Sequence, residues 1–396
     1  MALNLLKLLS RLKKMPKVKT LKDISVKNKR VLMRVDFNVP PGEKKKLFKI
    51  EAVIPTLKYL IQQKAKIILM SHLGRPGGKV VKNLRLDLIV KELEKLLKRK
   101  VQKLDSAVGK GVQQVVEEMK PGEIIMLENI RFYPEEEKNS PKFAKQLAKL
   151  GDIFINEAFA VSHRKHASIV GIAKHLPSFV GMIFEKEIKE LDKAVHKPKH
   201  PLLFIIGGAK IKTKIKVIEK FLKKADKLLV GGALPNTIFA AKGIDMGKSL
   251  VEKDMFKVVE GLNLENPKLQ LPVDFVCQNF EISLRSINAV KENELAFDLG
   301  PRTVELFCQL VRDAKMVVWN GPLGFVEKEP FDGASEAIAR TIVQSKAYSI
   351  VGGGDTVAFI KRLGLEKKFN YVSTGGGAML EYLANETLPG IEALKK

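Results

Sequence analysis

Cysteine is almost missing from this chain. Cys277 and Cys308 are the only two in 396 residues. Neither has a neighbour at metal-ligand spacing, which argues against a zinc module or a disulfide scaffold and fits a reducing, cytoplasmic setting. Aromatics are few, with one Trp and five Tyr beside 20 Phe. No helix-turn-helix pattern or RNA-binding aromatic motif is found. Long apolar runs are absent as well: the stretch from Pro201 to Ala209 is far too short to span a bilayer. Acids are in deficit, with 44 Asp+Glu against 70 Lys+Arg and a formal net charge of +26. That excess suits a solvated, lysine-rich surface and draws anionic substrates. It is also the one feature that favours nucleic acid, which is not the expected partner; no membrane partner is expected either.

The length suggests two domains. Residues 1–14 carry no acid, and Leu5, Leu8, Leu9 and Leu12 share one helical face. This segment reads as an extension of unknown role, with an upstream start codon or a packing element favoured over a targeting or membrane-surface helix. From Met15 onward, strand-like runs alternate with helical periodicity. Arg30–Val35, Lys66–Met70, Ile124–Leu127 and Asp152–Ile155 read as buried strands. Residues 51–63 and 86–98 read as amphipathic helices, with Leu88, Leu93, Leu96 and Leu97 on one broad apolar face of the second. A second series of strands is expected at 202–206, 227–230, 269–273, 316–319 and 349–351. Such alternation implies βαβ units and parallel sheets covered by helices. The expected fold is α/β, two doubly wound parallel-sheet domains joined by a hinge helix. The boundaries predicted are 15–184 with a C-terminal tail 379–396, an interdomain helix and linker 185–199, and 200–378. No fixed-period repeat argues for a solenoid.

The two halves end their strands in different chemistry. In the first, hydrophobic runs stop at Arg34-Val35-Asp36-Phe37-Asn38, Ser71-His72-Leu73-Gly74-Arg75-Pro76, Glu128-Asn129-Ile130-Arg131-Phe132 and Ser162-His163-Arg164-Lys165-His166. If the strands are parallel, Arg34, His72, Arg75, Arg131 and Arg164 gather at one sheet edge. Planar guanidinium forks suit phosphate and carboxylate groups. Each arginine alone also suits a surface position; the repetition is what argues for a site. A metal pair at His163 and His166 is disfavoured, because Arg164 and Lys165 stand beside it without a third good ligand.

In the second half the strands end in glycine. Glycine lets the backbone turn sharply and approach a ligand, and a following helix points its amides at an anion. Gly352-Gly353-Gly354-Asp355-Thr356 fits this, with Asp355 able to hold a magnesium ion carried by nucleotide phosphates; a glycine turn with an Asp/Thr cap is the alternative. On a helix Lys210 and Lys214 would share a face, and they suit phosphates or solvent equally. The segment Gly243 to Ser249 imitates a P-loop but has three residues between its glycines instead of four, so it reads as a surface turn. No dinucleotide fingerprint and no hydrolase nucleophile elbow are present.

Taken together, these segments resemble the phosphoglycerate kinase family. The motifs that carry the resemblance are Arg34 to Pro40, Ser71 to Pro76, Leu127 to Arg131, Gly207 to Lys210, Trp319 to Pro322, Gly352 to Thr356 and Ser373 to Ala378, in the family's order from about Val18 to Leu394. The resemblance implies a carboxyl-group phosphotransferase that moves the acyl phosphate of 1,3-bisphosphoglycerate reversibly to MgADP, giving 3-phosphoglycerate and ATP. By matching motifs, Asp36, Asn38, Lys49, His72, Leu73, Gly74, Arg75, Arg131 and Arg164 would meet the acid substrate. Lys210, Lys214, Asn320, Glu327, Gly353, Gly354, Asp355 and Thr356 would meet ADP or ATP, with Asp355 on Mg2+. Lys49, Lys214 and Gly376 would act on the transferred group. The C-terminal tail would pack back on the first domain, and a monomer is implied.

One position departs from the family. An arginine there precedes an Ile-x-x-x-x-Pro-Thr run, and this chain has Lys49 before Ile50 to Thr56, after a basic loop through Lys44-Lys45-Lys46. Lysine keeps the charge and loses the bidentate fork. The expectation is slower turnover, and a catalytically weakened relative is the alternative reading. Glu157, Ala160-Val161 and Pro235 depart in smaller ways.

Overall fold

A computed structural model describes residues 18–39 and 47–395. The leucine-patterned N-terminal extension and the basic loop at 44–46 lie outside the described residues. The chain divides into two compact units. One runs up to Asp192 and resumes from Thr387; the other runs from Lys193 to Glu386.

The first unit is built on a six-stranded parallel sheet. Its strands are β1 (Arg30–Arg34), β2 (Lys66–Met70), β3 (Gln102–Lys103), β4 (Ile124–Met126), β5 (Ile153–Asn156) and β6 (Ser178–Val180), in the order β3-β4-β2-β1-β5-β6. The central runs consist of Val, Ile, Leu and Met because helices cover both faces and no side chain there meets water. Val31, Leu32 and Met33 are fully buried. Register matters for function. Arg34 is level with Met70 on one side and Asn156 on the other, so the chain leaves β1, β2 and β5 at the same edge. Helix α1 (Phe48–Gln62) covers the sheet with Ile50, Val53, Leu57 and Leu60, and α2 (Asp87–Leu97) with Ile89, Val90, Leu93 and Leu97. The α2 stripe is narrower than its leucines suggested. Leu88 and Leu96 are exposed, because the stripe facing the core is made by Ile89, Val90, Leu93 and Leu97.

The second unit has its own parallel sheet. It contains β7 (Leu202–Ile206), β8 (Lys227–Val230), β9 (Leu269–Gln270), β13 (Met316–Asn320), β14 (Tyr348–Gly352) and β15 (Tyr371–Val372), in the order β15-β14-β13-β7-β8-β9. Fold class and alternation therefore agree with the sequence pattern. The strand expected through Val273 stops at Gln270, two residues before Pro272; proline has no N–H to extend the ladder. Beyond this proline the chain forms a small antiparallel sheet of β10 (Asp274–Gln278), β11 (Ile282–Ser286) and β12 (Leu295–Leu299), ordered β11-β10-β12. The βαβ pattern did not contain it. Its strands are partly polar, and the first two are joined by a tight turn, with Gln278 opposite Ile282.

Helix α3 (Met182–His196) begins in the first unit and ends in the second. Further along are α4 (Ile215–Lys224), α5 (Gly333–Gln344), α6 (Gly354–Arg362) and α7 (Gly376–Asn385) in the second unit. The last helix, α8 (Pro389–Ala393), returns to the first unit, where the Gly390 amide donates to the Ser162 carbonyl at 2.8 Å. The chain from Thr387 onward belongs to the first unit, whereas residues 379–385 of the expected tail lie in α7 and belong to the second. No helix among the described residues is long and apolar enough to cross a membrane.

Candidate active site

At the carboxyl edge of the first sheet, the strand-end residues form one connected group. Arg34 is 1% exposed. Its Nε donates to Ser168 Oγ at 2.9 Å, its Nη1 to the Val35 carbonyl, and its Nη2 lies 3.2 Å from His72 Nδ1. Ser168 is itself held by Glu136, whose Oε1 accepts from the serine hydroxyl at 2.6 Å and whose Oε2 accepts from its amide at 2.9 Å. Burial pushes the Glu136 carboxyl up, against the pull of Arg34 and the serine. This Arg34–Ser168–Glu136 support was not legible in the sequence, since Glu136 sits among three surface-like acids and no spacing marks the one that turns inward.

Asp36 anchors the second part. Lys49, in the first turn of α1, donates from Nζ to Asp36 Oδ2 at 2.9 Å, and His72 Nδ1 lies 3.8 Å from Oδ1. Burial alone would raise this carboxyl. Lys49, His72 and Arg34 outweigh it and hold it down at about 2. A depressed carboxylate adds stability above its unfolded pKa and loses it as pH falls through the folded value. The shift corresponds to about 2 kcal/mol. The Lys49→Met variant should therefore lose about that much of its unfolding free energy at pH 6 and converge with the unaltered chain near pH 2, as read by denaturant melts across this range. Equal stability of the two chains at pH 6 would exclude this account of the pair.

Asn38 and Arg131 shape the intervening loop. The Gly74 amide donates to Asn38 Oδ1 at 2.9 Å, and Arg131 Nη1 donates to the Gly74 carbonyl at 2.7 Å. Gly74 has a φ of +64°, a backbone conformation that favours glycine, and an added Cβ would also press on the tip of Leu84 at 2.8 Å. Leu73 packs into the core and gives its carbonyl to Asn129; it supports the loop and can offer a ligand only backbone. Arg75 is exposed and Arg164 half-buried. Arg131 is 4% exposed. Its Nε is 3.2 Å from Glu137 but not aligned for a hydrogen bond, and its Nη2 has no hydrogen-bond partner at all. Burial, then Arg164 and Arg34, bring its pKa down to about 10. His163 and His166 both fall to about 4, through burial and then the neighbouring arginines. Neutral histidines surrounded by guanidinium groups make a pocket for an anion and a hostile one for a cation.

The glycine-ended strands of the second unit converge in the same way. Lys214, 8% exposed, donates from Nζ to Asn320 Oδ1 at 3.0 Å. The Gly321 amide donates to Thr356 Oγ1 at 2.9 Å. Gly353 has a φ of +104°, and a Cβ there would lie 3.4 Å from the Asn320 amide nitrogen. The same construction at Gly376 reaches Gly353 Cα at 3.3 Å. Gly207 is pressed against the backbone of Gly321 and Pro322 and leaves no room for a methyl group. Thus Lys214, Asn320, Gly353, Thr356 and Gly376 share one place, at the N-terminal ends of α6 and α7. Those ends carry partial positive charge and free amides. The loop expected at Gly375 to Gly377 is the opening turn of α7.

Beside them lies a cavity of about 310 Å³ lined by Gly208, Gly232, Leu250, Phe297, Pro322, Glu327 and Asp355. Its walls are apolar, with two carboxylates at the rim, which suits a planar base and a polar sugar. Lys210 is exposed in the loop after Gly208. Asp355, exposed in the first turn of α6, pulls the Lys214 pKa upward against burial, so the two charges are near one another. The lookalike P-loop is a turn: Gly247 has a φ of +56°, and an added Cβ there would collide with the carbonyls of Lys291 and Glu294.

The family model for phosphoglycerate kinase matches residues 21–386. The phosphoglycerate kinase of Moorella thermoacetica is 46% identical over 386 residues, covering 95% of this chain and 98% of its own. That of Pelotomaculum thermopropionicum is 43% identical, with the same coverage. Among solved structures, phosphoglycerate kinase from Coxiella burnetii superposes with a TM-score of 0.82 at 37% identity, over 96% of this chain and 99% of its own. The enzyme from Pyrococcus horikoshii gives 0.84 at 32%, over 95% and 98%. With the strand-end arginines, the glycine-framed lysine and these matches over nearly its full length, the chain belongs to the phosphoglycerate kinase family.

Proposed function

We propose that this phosphoglycerate kinase holds 1,3-bisphosphoglycerate or 3-phosphoglycerate at the arginine edge of its first unit and MgADP or MgATP at the glycine-framed site of its second. The single observation that carries the substrate assignment is Arg131, a buried guanidinium with an unpartnered Nη2 beside Arg34 and Arg164. A buried, unpaired donor is costly unless a ligand completes it. Asn38, Gly74 and Arg75 hold and line that edge, and Asp36 keeps Lys49 and His72 in place.

The reaction breaks the acyl-phosphate P–O bond and forms a bond from phosphorus to a terminal oxygen of ADP. The carboxylate of 3-phosphoglycerate leaves, and the reverse step uses it as acceptor. Phosphoryl transfer of this kind needs positioning and charge neutralisation more than covalent help from protein. Lys214 supplies an ammonium at the Asn320–Gly353 corner, and the amides that open α6 and α7 supply fixed positive dipoles for the transferring group. Asp355 fits a magnesium ion by its exposed, hard carboxylate beside the phosphate-facing helix start. When bound, Mg2+ would neutralise nucleotide phosphate charge. The transfer requires a site from which water is excluded.

Lys49 retains a positive charge at the start of α1, fixed by Asp36. A coupled assay with 1,3-bisphosphoglycerate and MgADP tests the reading. Sustained ATP formation is expected. A folded chain that forms no ATP would overturn it, and tight, salt-sensitive RNA binding in its place would favour a nucleic-acid role.

A further inference from the structure

Glu157 is a buried carboxylate with no part in the substrate cradle or the transfer step. It comes directly after β5 and is 3% exposed. Its Oε1 accepts from the Thr56 hydroxyl and from the Ile183 amide at 3.1 Å, and its Oε2 accepts from the Phe184 amide at 3.2 Å. The two amides belong to the first turn of α3, where orphan N–H groups and the helix dipole favour a negative charge. Thr56 belongs to α1, about two turns beyond Lys49. Gly181, just before α3, lies so close to the carboxylate that an added Cβ would collide with it. Burial lifts the Glu157 pKa to about 7, and the bonds from Thr56, Ile183 and Phe184 oppose the rise.

A cap for α3 needs only the amides. The Thr56 bond is the additional observation, because it extends the link to a different helix. The chain passes between the two units twice, once inside α3 between Asp192 and Lys193 and once between Glu386 and Thr387. One end of the Glu157 linkage is therefore the helix that carries Lys49. The other is the start of one of the two connections into the nucleotide-binding unit.

We propose that Glu157 is a positioning residue for phosphoryl transfer, a single carboxylate that couples the helix bearing Lys49 to the helix leading into the second unit. The proposal rests on reading the chain as a phosphoryl-transfer enzyme. Misplacing a reacting group by a fraction of its working tolerance reduces turnover without changing what is bound. The loss should therefore fall on kcat and not on KM.

The test uses the full chain and four variants: Thr56→Val, Glu157→Gln, Lys49→Met and Thr56→Val combined with Lys49→Met. For each, kcat, the KM of both substrates and Tm are measured. Thr56→Val keeps the cap and cuts only the α1 leg, so it decides the matter even if Glu157→Gln does not fold. It is expected to lower kcat about tenfold with both KM values unchanged. In the Lys49→Met background it should have no further effect on kcat, since the coupling then has nothing to position. A Thr56→Val chain with unaltered kcat, or one whose loss simply multiplies that of Lys49→Met, overturns the proposal and leaves the function reading intact. Absence of turnover in the unaltered chain overturns both.

Discussion

Replacing Lys214 with methionine should lower kcat by about 10²–10³-fold, the scale of removing one preorganised donor to a transition-state oxyanion, without lowering Tm. The two halves of this expectation have one cause. Lys214 is nearly buried, with Nζ on Asn320. Burial brings its pKa down from 10.5 to about 8, and Asp355 offsets only part of that. An ammonium kept where it is poorly solvated is available to a phosphoryl group and unfavourable for the fold. The depression corresponds to roughly 3 kcal/mol at neutral pH, which methionine of similar length would recover in part. Burial also sets the sign of the pH dependence. Between about pH 8 and 10.5 the unfolded chain binds the Lys214 proton and the folded chain does not, so stability contributed at this site rises across that window. The methionine variant should lack the rise. In the unaltered enzyme kcat/KM should fall above about pH 8 as the ammonium is lost. Steady-state kinetics and denaturant melts across roughly pH 7 to 10 check both halves. A variant with unaltered kcat would remove Lys214 from the mechanism.

Changing Arg131 to methionine should raise the KM for 3-phosphoglycerate roughly 10²-fold, the range for losing one partner of a buried, hydrogen-bonded charge pair. The KM for ATP should not change, because Lys214, Asn320 and the cavity belong to the other unit. Folding should tolerate the change, since Arg131 leaves Nη2 unpartnered and is held at a lowered pKa by burial and its neighbouring arginines. Direct binding of 3-phosphoglycerate, followed by calorimetry, separates this from a slow chemical step. Unaltered affinity would remove Arg131 from the substrate cradle and weaken the arginine-edge reading as a whole.

Much of this site was readable in the order of residues alone. Arg34, His72 and Arg131 each end or closely succeed a buried hydrophobic run, and parallel strands in register must release their chains at one edge. Lys214 was ambiguous. As one of several lysines after Gly208 it suited solvent as well as phosphate, and only its burial against Asn320 separates it from Lys212 and Lys216. Leu73 shows the opposite case: a motif position whose side chain supports the core. Glu136, Ser168 and Glu157 were not identifiable as support, because a polar residue turned inward has the same letter as one in water.

The sequence by itself determined the alternation of strands and helices, the cationic and glycine endings of the two halves, and the family to which they correspond. These are local properties, set by hydrophobic period and by the few residues that tolerate a sharp turn or a phosphate. The tertiary structure alone decided which charges are paired, which are buried and which are left with an open valence. Asp36 is held near 2 by Lys49, Arg131 keeps a donor unpartnered, and Glu157 joins two helices distant in sequence. Charge state and coupling depend on desolvation and on distances between residues tens to hundreds of positions apart, and neither is encoded in spacing along the chain.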